Sequence, residues 1–218
     1  MSVMVKQLKD REDWLKNRMS YIGGSDAAAV IGLNPYKSNL ELWNEKTGRI
    51  IPPDISGNPC VRYGSEAEEY LRALFALDFP QYEVQYMENN SYTNDKYPFA
   101  AASLDGVLIE RETGRKGILE IKTTNILQSM QKEKWNDRIP DNYFCQVLWY
   151  LGVTEFDFAI LVAQLKSEFN GVLHKQTKHY HIERNEVEED IKYLFYEAEK
   201  FWKRVEDDIR PSLLLPNI

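Results

Sequence analysis

The chain has 218 residues, 43% of them hydrophobic, 12% aromatic and 28% charged, with a net charge of −7. That size and composition exclude a mainly disordered chain and allow one large domain with its own core, read here as a single domain over residues 1–218. No apolar run approaches the ~18 residues of a membrane span. The N-terminal MSVMVKQLKDRED turns charged too early for a secretory signal. The two cysteines, Cys60 and Cys145, cannot build a disulfide framework or a four-thiolate metal site. A soluble cytoplasmic protein without membrane association is expected. The acidity is uneven: residues 1–50 hold eight Lys/Arg against six Asp/Glu, whereas residues 183–208 hold five against ten. A locally basic surface for nucleic acid therefore stays open despite the acidic total.

In chain order, Asp10 caps a short helix ending near Arg18. Ile22-Gly23-Gly24-Ser25 leads through a glycine pair to Ser25 as the N-cap of a small-residue helix, stopped by Gly32 and Asn34-Pro35. Ser38-Asn39-Leu40-Glu41 is a capping box that opens a helix ending at Gly48. A Pro/Gly-rich loop over 50–59 precedes a helix over 59–77 with Leu71, Leu74 and Phe75 on one face. Strands follow over 82–88, 99–109 and, across a turn at 110–117, 118–123. Helices over 126–135 and 143–151, strands over 156–163 and 172–182, and a closing helix over 186–208 complete the chain. This order predicts an α/β (α+β) fold with a central mixed sheet flanked by helices.

The densest polar cluster in apolar surroundings is Ser103-Leu104-Asp105-Gly106, answered across the hairpin by Leu119-Glu120-Ile121-Lys122. Alternate residues of a strand share a face, so Glu120 and Lys122 point one way and Leu119 and Ile121 the other. Hairpin pairing brings Asp105 near Glu120. Adjacent buried carboxylates raise each other's pKa unless a cation lies between them. Mg²⁺, a hard ion that takes carboxylate oxygens, water and phosphate, suits such a pair. A lysine beside it can orient or deprotonate a water for attack on phosphorus. The same spacing also fits an exposed hairpin with a surface ion pair, although Phe99-Ala100-Ala101-Ala102 and Ile118-Leu119 favour a central position.

Glu68 lies on the apolar stripe of its helix with Leu71 and Phe75, where a carboxylate needs a partner; Glu66 and Glu69 fall off that stripe. Ser25, after two glycines and downstream of Arg18, fits either an anion site or a simple helix cap. His174, His179 and His181 have no metal-ligand spacing, and neither cysteine lies in a nucleophile motif. No Walker A or dinucleotide-binding glycine motif occurs.

The ordered set Arg18…Ile22-Gly23-Gly24-Ser25-Asp26-Ala27, Gly64-x-x-x-Glu68, Ser103-Leu104-Asp105-Gly106, Glu120-Ile121-Lys122 and Gln146-Val147-Leu148-Trp149-Tyr150 resembles the phage lambda exonuclease family. That family is also called the YqaJ-type viral recombinase family and belongs to the PD-(D/E)xK nuclease superfamily. The resemblance implies a restriction-endonuclease-like core and Mg²⁺-dependent 5′→3′ digestion of linear double-stranded DNA in phage-type recombination. It implies two Mg²⁺ ions per active site, with Mn²⁺ as the alternative. Asp105, Glu120 and the Ile121 carbonyl hold metal, and Glu68 holds the second ion. Lys122 activates the attacking water, Gln146 supports the site, and Arg18, Ser25 and Ser103 bind the 5′-phosphate. Also implied are double-stranded DNA ends as partner, a ring-shaped homotrimer, a single-strand annealing protein as companion, and a phage or prophage origin in a bacterial cytoplasm. An endonuclease of the same superfamily and an end-binding module without catalysis are the alternatives. One departure is Leu104, which stands where the superfamily carries proline and supplies no metal ligand.

Overall fold

The computed structural model describes residues 2–127 and 129–215. Its first half is mostly helical: β1 (Val3–Gln7), α1 (Arg11–Met19), α2 (Gly24–Val30), α3 (Asn39–Lys46) and α4 (Pro59–Asp78). Then come β2 (Tyr82–Gln85), β3 (Asn90–Asn94), β4 (Ala101–Ala102), β5 (Gly106–Glu110) and β6 (Lys116–Asn125). The chain continues with α5 (Ser129–Glu133), α6 (Asp141–Thr154), β7 (Phe158–Phe169), β8 (Val172–Glu183) and α7 (Glu188–Glu206). The result is a mixed α+β fold.

The larger sheet has the order β2-β5-β6-β7-β8, and a smaller one runs β1-β3-β4. All pairings are antiparallel except β6 with β7. A parallel pair needs a long crossover, and the segment carrying α6 supplies it. Alternation along β6 sorts its side chains between two cores. Ile118 joins the core of α2, α6 and α7, while Leu119 and Ile121 pack with Leu71 and Phe75 of α4. Helix α6 is buried on every side from Cys145 to Thr154, which makes it the centre of the molecule.

The caps follow from local chemistry. Asp10 accepts from the Asp13 N–H at 2.9 Å, and Ser38 and Glu41 bond each other's backbone as the capping box requires. Pro59 opens α4 at a position with no use for an N–H, behind an Asn58 cap.

Several expectations need correction. Helix α2 begins at Gly24 with Gly23 as N-cap, so Ser25 sits inside the first turn. The cap's backbone N–H is answered by the Asp26 carboxylate at 3.4 Å. The expected strand over 99–109 divides into β4 and β5, which belong to different sheets. Leu74 is 47% exposed, off the buried face that Leu71 and Phe75 form. Strands β1 and β3 had no forecast. The helix expected over 126–135 is confined to Ser129–Glu133, and residue 128 of that forecast lies outside the described residues.

Gly152 faces α7 so closely that an added Cβ would overlap the fully buried Phe195 ring. Phe195 also stacks on Trp149 with centroids 4.5 Å apart, which leaves the ring little room to retreat. Gly152→Ala is expected to destabilise the protein by about 1–3 kcal/mol through overpacking. Urea unfolding of the two proteins would measure it.

Candidate active site and anion pocket

The ladder between β5 and β6 ends where Gly106 pairs with Leu119. Asp105, next in line, continues it with its side chain: Oδ2 accepts the Ile121 N–H at 2.8 Å. This fixes the carboxylate at the end of the sheet. On the α6 side, Lys122 Nζ lies 2.5 Å from Glu120 Oε1, and Gln146 Nε2 donates to the same oxygen at 2.7 Å. Glu120 is 1% exposed, and its other oxygen, Oε2, is buried with no hydrogen-bond partner. Native structures rarely leave a buried polar atom unpaired.

The electrostatics match that geometry. Burial, with the charge of Asp105, pushes Glu120 up to about 8 against the pull of Lys122. Burial and Asp105 likewise raise Glu68 to about 7. Asp105 is raised by burial, with Lys122, the Ile121 N–H and Arg72 opposing. Burial works against the charge of Lys122, yet Glu120 and Asp105 outweigh it and hold its proton firmly. Arg72, one turn beyond Glu68 on α4, donates to the Asp105 carbonyl and lies over the Tyr86 ring.

Carboxylate oxygens that repel one another, one of them unpartnered, are the donor chemistry of a hard divalent cation. The pair Asp105 and Glu120, with the adjacent Ile121 carbonyl, fits such an ion. Among the described residues, no group of three or more His, Cys, Asp or Glu side chains is arranged to hold a metal. Glu68, on α4, feels the charge of Asp105 and of Lys122. It borders a groove of about 660 Å³ lined also by Arg72, Tyr86 and Glu88.

The other three expected residues meet elsewhere. Arg18, Ser25 and Ser103 all line one small cavity of about 50 Å³, together with Trp14 and Tyr150. Arg18 Nη2 donates to Ser25 Oγ at 2.5 Å and lies 3.4 Å from Asp26 Oδ1. Trp14 Nε1 donates to Ser103 Oγ at 2.9 Å, and Ser103 Oγ donates onward to the Asn90 carbonyl at 2.8 Å. Behind the cavity, buried Asp26 gathers Lys46 at 3.0 Å and Lys37 at 3.5 Å, and Lys37 reaches Glu45 at 2.5 Å. Burial alone would raise Asp26, but Lys46, Arg18 and Lys37 hold it well below the usual carboxylate range. Three cations surround two carboxylates here, so the wall carries spare positive charge.

Sequence reasoning gave no role to Arg72, Tyr150 or the Asp26–Lys46 pair. Helical spacing could have found the first two, because Arg72 follows Glu68 and Tyr150 follows Gln146 by one turn. Two of the three histidines on β8 pack against rings: His179 lies 4.8 Å edge-on from Phe79, and His181 stacks on Phe158 at 5.3 Å. Cys145 is buried, with its thiol pushed up to about 12 by that burial, whereas Cys60 is exposed.

Residues 13–157 match the YqaJ-like viral recombinase domain, and the chain belongs to that family. It is 31% identical over 193 residues to YqaJ of Bacillus subtilis (strain 168), across 88% of this chain and 55% of that protein. It is 27% identical over 153 residues to R354 of Acanthamoeba polyphaga mimivirus, across 67% of this chain and 27% of that protein. The chain thus spans about half or less of the length of these curated relatives. Among solved structures, an alkaline exonuclease (LHK-Exo) from Laribacter hongkongensis superposes with a TM-score of 0.66 at 17% identity, covering 91% of this chain and 94% of that one. A phage related exonuclease from Haemophilus somnus 129PT gives 0.54 at 15% identity, covering 87% and 96%. These two likenesses show a shared fold.

Asp26 is the anchor of the cation cluster, and Asp26→Asn would leave Lys46 buried without its partner. The expected loss is ~3–5 kcal/mol at neutral pH, as for breaking a buried pair. Because the folded pKa of Asp26 is lowered from 3.8, its contribution is present above that value and is lost as pH falls through the lowered one. Urea unfolding at pH 7 and near pH 3 should therefore show the gap between wild type and variant narrowing in acid.

Proposed function

We propose that this chain is a divalent-metal-dependent deoxyribonuclease that degrades linear double-stranded DNA from its 5′-phosphorylated ends, in the 5′→3′ direction. The observation that carries the reading is the unpartnered, buried Glu120 oxygen beside Asp105 and Lys122. Family membership and the fold shared with LHK-Exo, an alkaline exonuclease also crystallised in complex with dAMP, support it.

Asp105, Glu120 and the Ile121 carbonyl would hold one Mg²⁺ or Mn²⁺, and Glu68 would hold the second. When bound, the ions supply Lewis-acid stabilisation of the attacking and leaving oxygens. The remaining work belongs to the chain. Lys122, its proton held by two carboxylates, orients the water and offers positive charge to the phosphoryl oxygens. Gln146 fixes the rotamer of Glu120 through its amide. Arg18, in the cavity it shares with Ser25 and Ser103, anchors the terminal 5′-phosphate. An anchored end favours exonuclease over endonuclease, since closed circular DNA offers no end to bind. A homo-oligomeric ring around the duplex, a single-strand annealing partner, phage-type recombination and a bacterial cytoplasmic setting belong to the same proposal. No helix among the described residues is long and apolar enough to cross a membrane.

The test is digestion of a 5′-phosphorylated linear duplex with Mg²⁺, alongside closed circular DNA. Wild type should release nucleotides from the linear substrate, leave circles intact and stop in EDTA. Lys122→Ala is expected to lower the rate by about 10²–10⁴-fold, and Asp105→Ala to remove it. Efficient cutting of circles would replace this reading with an endonuclease. Binding of ends by all three proteins without cleavage would replace it with an end-binding module.

A further inference from the structure

We propose that the Tyr150 hydroxyl is a specificity-determining donor to the terminal phosphate, and that Ser103 shapes the cavity wall without donating to the anion. The inference rests on the reading of the Arg18 cavity as a 5′-phosphate pocket, and it changes which groups recognise the phosphate.

The argument is an account of protons. Ser103 Oγ accepts from Trp14 Nε1 at 2.9 Å and donates its single proton to the Asn90 carbonyl at 2.8 Å. A hydroxyl has one proton, so Ser103 has none left for an anion unless it abandons Asn90. Tyr150 is the opposite case. Gln146 Nε2 has two hydrogens: one goes to Glu120 Oε1 at 2.7 Å and the other to the Tyr150 hydroxyl oxygen at 2.8 Å. That oxygen is thus an acceptor toward Gln146, and its own proton has no acceptor among the described residues. Tyr150 is 5% exposed and lines the cavity. A buried donor left unsatisfied is costly, and an arriving oxyanion removes the cost.

The ring cannot turn away easily. It packs on Gly24, where an added Cβ would overlap it, so the close approach of α2 to α6 holds the phenol in place. Burial and the nearby carboxylates Glu120 and Asp105 keep the phenol protonated and therefore able to donate. At about 50 Å³ the cavity holds a few waters, at ~10–15 Å³ each, or one tetrahedral oxyanion. A phosphate offers acceptors to Arg18, Ser25 and Tyr150 together. A terminal hydroxyl, with one oxygen, leaves most of those donors unpaired, which is how a polar site rejects the smaller group. Because Gln146 joins Tyr150 to Glu120, the same contact sets the phosphate at a fixed separation from the carboxylates.

The test compares binding of 5′-phosphorylated and 5′-hydroxyl duplexes by fluorescence anisotropy in EDTA, for wild type and Tyr150→Phe. Phenylalanine keeps the ring on Gly24 and removes only the hydroxyl, and urea unfolding checks that the variant is folded. A second readout is the shift in thermal midpoint produced by inorganic phosphate. Wild type is expected to prefer phosphorylated ends, and Tyr150→Phe to lower that preference by about tenfold, the worth of one hydrogen bond to a charged group. The phosphate-dependent midpoint shift should shrink with it. A variant that keeps the wild-type preference, or that weakens both kinds of end equally, would overturn the role of Tyr150. A wild type with no preference would instead remove the phosphate-pocket reading itself.

Discussion

Glu120 and Lys122 sit on alternate residues of a strand flanked by β5 and β7, and water barely reaches Glu120. Taking a carboxylate and an ammonium out of water costs several kcal/mol per ion, and only close pairing with further hydrogen bonds offsets it. The surroundings are arranged accordingly. Lys122 and Gln146 both address Glu120 Oε1, and Asp105 is tied to the Ile121 backbone. Helix α6 can place Gln146 there because it is buried all round. One oxygen, Oε2, is left out of this arrangement. A fold optimised for stability alone would have little reason to keep it.

The protein carries two charge clusters of opposite balance. In one, Asp105, Glu120 and Glu68 outnumber Lys122 and Arg72; in the other, Arg18, Lys37 and Lys46 outnumber Asp26 and Glu45. The first has a deficit of positive charge that suits a cation, and the second a surplus that suits an anion. A net charge of −7 reveals neither, because much of it comes from the acidic stretch at 183–208. The link between the clusters is one amide, Gln146, whose nitrogen contacts Glu120 and Tyr150 at once. On the proposed reading, the distance from bound end to reacting bond is set by side chains on a single helix turn. Sites carried on regular elements hold their geometry better than sites on loops.

Much of this was legible in the sequence for a simple reason. Period-two alternation puts Glu120 and Lys122 on one face whatever the rest of the chain does, and helical period puts Glu68 on the stripe of Leu71 and Phe75. The capping box at Ser38 is equally local. What could not be read depends on partners far along the chain. Strand β3, Asn90-Ser91-Tyr92-Thr93-Asn94, has the composition of a loop, yet it pairs with β1 and buries Asn90, Ser91 and Asn94. Strand propensity measures fit to a half-buried surface, and these residues fit because specific backbone groups await them. The start of α2 was misplaced for a related reason. Ser25 has a cap's chemistry, but its oxygen is engaged by Arg18, and Asp26 serves the Gly23 N–H instead.

The same buried asparagine explains why the apolar run from Phe99 breaks in two and why leucine stands at position 104. Asn90 Oδ1 accepts the Leu104 N–H at 2.8 Å, and Asn90 Nδ2 donates to the Leu104 carbonyl at 2.9 Å and to the Met87 carbonyl at 2.7 Å. A side-chain amide thus takes the place of a neighbouring strand for one residue and carries the chain from the small sheet to the large one. Proline has no N–H to give and fixes its own φ, so it would rigidify this turn by itself but would leave Asn90 Oδ1 unpaired in the interior. With leucine, the turn is held from outside by Asn90, and the side chain adds to the core at 3% exposure. Either solution delivers Asp105 to the end of β5. Where the resemblance leads one to expect proline, the leucine is thus accommodated by a residue fourteen positions earlier. Asn90 and Leu104 are accordingly expected to act as a unit: a proline at 104 is compatible with this fold only if Asn90 changes with it.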